Sequence, residues 1–124
     1  MTVDIDTELY DRNIRVFGVD GQQAVADAHV VVVGCGGLGS LIDEQLARVG
    51  VGKLTLIDPD VVEEANLPRL YGAYDVTNVF TQYLPARVQS LLQKFGTGSD
   101  LGRPKVDVVA DHLGQIMPDR SVSA

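Results

Sequence analysis

Residues 30–40 read VVVVGCGGLGS. Four consecutive valines run into four glycines spread over six positions, Gly34, Gly36, Gly37 and Gly39. A β-branched run without polar alternation suits a strand buried on both faces, as in a parallel sheet. Glycines at the end of such a strand serve a tight turn, a close approach of backbone to a ligand, or close packing of the next helix on the strand. After them Leu38, Ile42, Leu46 and Val49 recur at helical spacing. They predict a helix that lies on the sheet by that face and stops at Gly50-Val51-Gly52. LTLID (54–58) predicts the next strand. Strand, glycine turn, helix and strand form a right-handed βαβ unit. The expected fold class is therefore α/β, a Rossmann-like βαβ unit of a parallel sheet.

The flanking sequence is less regular. Residues 7–17 predict a short amphipathic helix, with Thr7 as its cap and Tyr10, Ile14 and Phe17 on one face. Gly18 to Gly21 predict a turn and residues 22–28 a second short helix, so residues 1–28 form an N-terminal helical arm. Residues 29–124 form the partial Rossmann-like domain. Within it, 63–75 reads as loop and 84–95 as a helix with Pro85 in its first turn and Leu84, Val88, Leu91, Leu92 and Phe95 on one face. GTGSDLG (96–102) reads as a flexible loop. Residues 104–117 predict a last helix, with Val106, Val109, Leu113 and Ile116 on one face and Pro118 just beyond it. SVSA (121–124) would only begin a third strand.

The totals narrow the classes of function. With 124 residues the chain makes one domain. Its net charge of −7 argues against free nucleic acid as the main partner, because phosphate chains need a basic face. A small phosphate ligand is not excluded, since backbone N–H groups and a few cations can hold it. The single cysteine, Cys35, rules out an intrachain disulfide and a Cys/His zinc site and fits a reducing cytoplasm. The N-terminus is acidic without an apolar run, so it does not read as a signal peptide. No apolar run approaches the roughly 20 residues of a membrane span. His29 and His112 show no ligand spacing.

Gly34, Gly36 and Gly39 satisfy G-x-G-x-x-G, and the following helix N-terminus offers free N–H groups and partial positive charge. Asp58 closes the second strand, where a carboxylate can accept hydrogen bonds from ribose hydroxyls. This context points to a nucleotide site rather than to structural glycines alone. The motif does not choose between a dinucleotide and ATP. Cys35 is either a small buried filler or a reactive thiol, and the filler is the simpler reading.

GCGGLGS, followed by RVGVGKLTLIDPDVVEEANLPR, resembles the ThiF/MoeB/HesA family, relatives of ubiquitin-activating enzymes. The resemblance extends upstream through YDRNIRVFGVDGQQ and resumes at DLGRPKV and IMP, covering roughly 100 of the 124 residues. It implies binding of ATP with Mg2+ and adenylation of the C-terminal glycine carboxylate of a small ubiquitin-like or sulfur-carrier protein. It implies that Gly34, Gly36, Gly37 and Gly39 admit the nucleotide and that Asp58 holds the ribose. Asp60 would help position sugar or metal. Asn66 and Arg69 of NLPR would face the triphosphate, Lys105 of GRPK would contact phosphate, and Arg12 would reach the neighbouring subunit's site in a homodimer. Each has a plainer reading: Asp60 and Asn66 as turn residues, Arg69 and Lys105 as solvated surface charges, Arg12 on the wet face of its helix.

Two departures from the family stand out. Residues 76–99 look like a helical insertion between Arg69 and Lys105, either looped out or pulling Lys105 away. The family also continues past the equivalent of residue 124, with further strands, an aspartate on the magnesium side and a cysteine-bearing segment. The expectation is therefore a truncated domain, or one completed by a second chain, that does not finish adenylation unaided. The other readings are a non-catalytic nucleotide- or partner-binding relative and an NAD- or FAD-linked oxidoreductase fragment. NLPR and GRPK weigh against the last, because a dinucleotide site has no need of that Asn/Arg/Lys set.

Overall fold

The computed structural model describes residues 4–75, 85, 99–117 and 121–123. Among these, the order is α1 (Asp11–Asp27), β1 (His29–Val33), α2 (Gly37–Val49), β2 (Lys53–Ile57), a 3-10 turn (Glu64–Asn66), α3 (Lys105–Ile116) and β3 (Ser121–Ser123). The strands form one parallel sheet in the order β1-β2-β3, with Val33 opposite Ile57 and Leu54 opposite Val122. The α/β class and the βαβ unit are thus as the sequence predicts.

Both crossovers step the same way across the sheet. Right-handed connections then put α2 and α3 on the same face, and these two helices pack against each other. Leu54 and Leu56 of β2, Ala47 of α2 and Val109 and Leu113 of α3 form the core beneath them, joined by Val62 and Leu70 from the long loop. Full burial of a leucine contributes about 1.5–3 kcal/mol. Nothing described covers the opposite face. Val31 and Val33 are 52% and 78% exposed and Ile57 is 49% exposed. The expectation of a β1 buried on both faces therefore fails: its alternate valines stand open.

The face of α2 is also not the expected one. Leu38 is 74% exposed and Ile42 is exposed, while Ser40, Asp43 and Ala47 are buried. The cause is proximity. A Cβ built on Gly39 would lie 1.7 Å from the Gly34 carbonyl oxygen, so only small side chains fit between this helix and the strand end. Leu46 and Val49 do pack on the core as predicted. Gly50, at φ 98°, closes the helix in a Schellman motif, its N–H donating to the Ala47 carbonyl and that of Val51 to the Leu46 carbonyl.

The arm differs in detail. The two predicted helical pieces are present and meet at a kink at Gly18 (φ 74°, ψ 172°), so the turn is this one glycine and the second piece takes in Gly21. Thr7 caps nothing. Asp6 Oδ1 instead accepts the N–H groups of Glu8 and Leu9 at 3.0 and 2.9 Å, and the helix starts at Asp11. Phe17 is 44% exposed.

Two short antiparallel contacts organise the long connection from β2 to α3. Val61 bridges Pro104, and the Val62 and Arg103 backbones bond at 2.8 Å. Asp75 bridges Ser99, and the Asp100 N–H donates to the Tyr74 carbonyl at 3.0 Å. The chain thus leaves at residue 75 and returns beside it at residue 99. The helix predicted over 84–95 and Pro118 lie outside the described residues. No described helix is long and apolar enough to cross a membrane.

Candidate functional site

Each glycine of the loop after β1 answers to a different constraint. Gly34 turns with φ 96°, a conformation other residues rarely adopt. Gly39 makes room for the Gly34 carbonyl. Gly37 makes room for Arg69, whose Cβ, Cγ and Cδ would lie 3.2 Å from an added Cβ. Gly36 has none of these reasons. Its φ is −78° and a Cβ there would meet nothing within 4 Å. It is the glycine left open, at the N-terminus of α2, where backbone N–H groups lack helical partners.

Asp58 ties the loop to its surroundings. Its Oδ2 accepts the Cys35 N–H at 2.7 Å and its Oδ1 accepts the Asp60 N–H at 2.8 Å. Each oxygen keeps a lone pair for another donor. Ser40 adds a second tie, its hydroxyl donating to the Gly36 carbonyl at 2.7 Å and accepting the Tyr71 N–H at 3.0 Å.

Beyond Asp58 a cleft of about 450 Å³ opens, lined in part by Asp60, Glu63, Asn66, Arg69 and Lys105. Lys105, the first residue of α3, is 8% exposed, and its Nζ donates to Asp60 Oδ2 at 3.0 Å. The stretch between Arg69 and Lys105 therefore leaves both at one cleft, because the Val61–Pro104 bridge seats the start of α3 against the turn after β2. A solvated surface lysine is excluded. Arg69 is exposed, with its Nη1 on the Ala65 carbonyl at 2.7 Å. Asn66 is buried and accepts the Glu63 N–H on its Oδ1 at 2.9 Å, as a turn residue does, while its side chain lines the cleft. Arg12 does not line it. Its side chain is 86% exposed on α1, 3.9 Å from Asp11.

Behind the loop, Cys35 is fully buried. Burial, with Asp43 and Asp58 nearby, pushes its thiol up to about 12, so it stays protonated and fills space. Asp43 is fully buried too, and among the described residues only the weakly donating Cys35 thiol approaches its oxygens. Burial pushes its carboxyl up to about 6, against a small opposing pull from the Cys35 thiol. Sequence reasoning missed Asp43 and Ser40. The available signal was the spacing of Gly36, Gly39, Ser40, Asp43 and Ala47, a small and polar stripe opposite the leucines.

A second depression of about 360 Å³ lies between α3 and residues 72–74. Its charges are already matched: Arg103 pairs with Asp100 and Asp111 at 2.7 and 2.5 Å, and His112 with Glu44 at 2.9 Å. The open glycine and the cleft with the buried lysine are the better candidate.

Comparison with known proteins finds relatives of this chain. The ThiF family matches residues 10–94. The molybdopterin-synthase adenylyltransferase of Salmonella typhimurium is 35% identical over 116 residues, covering 92% of this chain and 37% of the relative. The SAMP-activating enzyme E1 of Haloferax volcanii is 34% identical, covering 98% of this chain and 38% of its own. Among solved structures, E. coli tRNA N6-threonylcarbamoyladenosine dehydratase in complex with AMP superposes with a TM-score of 0.73 at 32% identity, over 98% of this chain and 42% of that one. The same enzyme in complex with ATP gives 0.71. The chain thus spans about two fifths of the length of these proteins.

Proposed function

This chain belongs to the ThiF family, and from that premise we propose that its glycine loop and adjoining cleft bind ATP for adenylation of a C-terminal glycine carboxylate on a small ubiquitin-like or sulfur-carrier protein. The observation that carries the reading is Gly36. The turn, the helix contact and the Arg69 stem explain its three neighbours, and a phosphate against bare backbone explains the fourth. Adenylyltransferase and E1 names among the relatives, and AMP and ATP in the similar structures, support it.

In this reading the α2 N-terminus and Gly36 meet the phosphates. Asp58 takes the ribose hydroxyls with its remaining lone pairs. Asn66 offers its amide nitrogen, since its Oδ1 is engaged. Attack of a carboxylate oxygen on the α-phosphorus forms the acyl-adenylate and breaks the bond to pyrophosphate. The step brings anions together, and Lys105 and Arg69 offset the charge that develops on the phosphate oxygens. Magnesium enters with the ATP. Arg12, exposed on α1, is proposed to act at the site of a second copy. The unpaired thiol suits a reducing cytoplasm.

Titration of the purified chain with Mg-ATP and separately with NAD, followed by calorimetry, tests this reading. Saturable ATP binding that weakens at least tenfold in Asp58→Ala, a loss of about 1.4 kcal/mol, is expected. Binding of NAD alone would contradict it.

A further inference from the structure

Lys105 stands in an unfavourable place. It is the first residue of α3, where the helix end is itself partially positive. Its side chain is 11% exposed, so water does little to solvate the ammonium. The anion at hand is Asp60, linked to it twice: Lys105 Nζ donates to Asp60 Oδ2 at 3.0 Å, and the Lys105 N–H donates to the Asp60 carbonyl at 3.0 Å.

The pair is asymmetric. The Asp60 side chain is 65% exposed and can turn into water with little loss, whereas the lysine cannot leave. The Asp60 backbone is held on Asp58, which in turn holds Cys35 of the glycine loop. Asp60 and Lys105 both line the cleft, so a ligand that enters it meets the pair.

We propose that Asp60 is a positioning residue that holds the Lys105 ammonium in the cleft and hands it to the phosphates of a bound nucleotide, rather than a ligand for metal or ribose. This rests on the nucleotide reading above and adds an exchange of partners to it. Phosphate oxygens displace a single carboxylate because they carry more charge, and the released Asp60 becomes solvated. The buried helix start then has an anion in both states.

The test uses the full chain and two readouts. The first is the Lys105 ammonium resonance in a nitrogen-15 spectrum, visible when the group is held and its protons exchange slowly. It is expected in the wild type, lost in Asp60→Asn, and regained at a new shift when ATP is added. The second is ATP affinity without and with magnesium. Asp60→Asn is expected to bind ATP about threefold more tightly in both, and the gain to shrink when Lys105→Ala is present. An ammonium signal indifferent to Asp60→Asn would overturn the proposal. So would a loss of affinity seen only with magnesium, the mark of a metal ligand. A wild-type chain whose ammonium depends on Asp60 but which binds no ATP would overturn the nucleotide reading and reduce the pair to a structural ion pair.

Discussion

Asp43 is the residue most at odds with its surroundings. A fully buried carboxyl disfavours its charged form, which is why it is raised from 3.8 to about 6 despite the Cys35 thiol beside it. Because the folded state holds this proton more tightly than the unfolded chain does, the group is most favourable to folding below pH 4. That contribution is lost as pH rises through about 6, a swing of at most about 3 kcal/mol. Asp43→Asn should therefore raise the melting temperature at pH 7.5 and leave it nearly unchanged at pH 4. Parallel pH profiles for the two proteins would contradict this. The loop glycines separate in the same way. Gly39→Ala sets a methyl against a backbone oxygen at 1.7 Å and should destabilise by about 3 kcal/mol or more in thermal melts. The G-x-G-x-x-G spacing was legible in the sequence, but the division of labour among the glycines was not. It depends on which backbone atoms lie opposite each Cα, and that is set by tertiary packing.

At the scale of elements, β1, β2 and α3 followed from apolar runs and periodicity, and α2 formed where predicted but with another face inward. Leu38 and Ile42 looked like the core face because they are the large apolar residues. The close approach at Gly39 hands that face to Ser40, Asp43 and Ala47 instead. The position of Lys105 was undecidable from spacing, because no pattern announces a bridge such as Val61–Pro104 or Asp75–Ser99. That second bridge yields a prediction. Residues 75 and 99 are antiparallel neighbours, so a two-residue turn can join them. A chain in which Asn-Gly replaces residues 76–98 should keep its cooperative melt and its affinity for ATP. Loss of both would mean that the excised stretch belongs to the core or the site.

At the scale of the whole molecule, the determining fact is that the described residues cover one sheet face and leave the other bare. Val31, Val33 and Ile57 share the bare face beside the edge of β1, which pairs with no described strand. Such a surface associates with whatever apolar partner is available. The 124-residue chain alone should self-associate, and Val33→Lys, at a site 78% exposed, should shift sedimentation velocity toward monomer without lowering the melting temperature. Concentration-independent sedimentation of the wild type would contradict this. The valine run in the sequence anticipated burial on both sides. It could not say that the described residues supply only one of the covers.

Gly36 offers the most direct measurement, because it tests binding apart from folding. Its φ is ordinary and its Cβ space is open, so the gain from a stiffer unfolded chain and the loss of a preferred N-cap glycine roughly offset, and Gly36→Ala should fold with stability within about 1 kcal/mol of the wild type. If the backbone there approaches a phosphate, the same methyl should weaken Mg-ATP binding about tenfold or more, the equivalent of about 1.4 kcal/mol. A folded Gly36→Ala chain that binds ATP at least about tenfold more weakly than the wild type is the result expected. Equal ATP affinity in the two proteins would contradict a nucleotide seated on this loop.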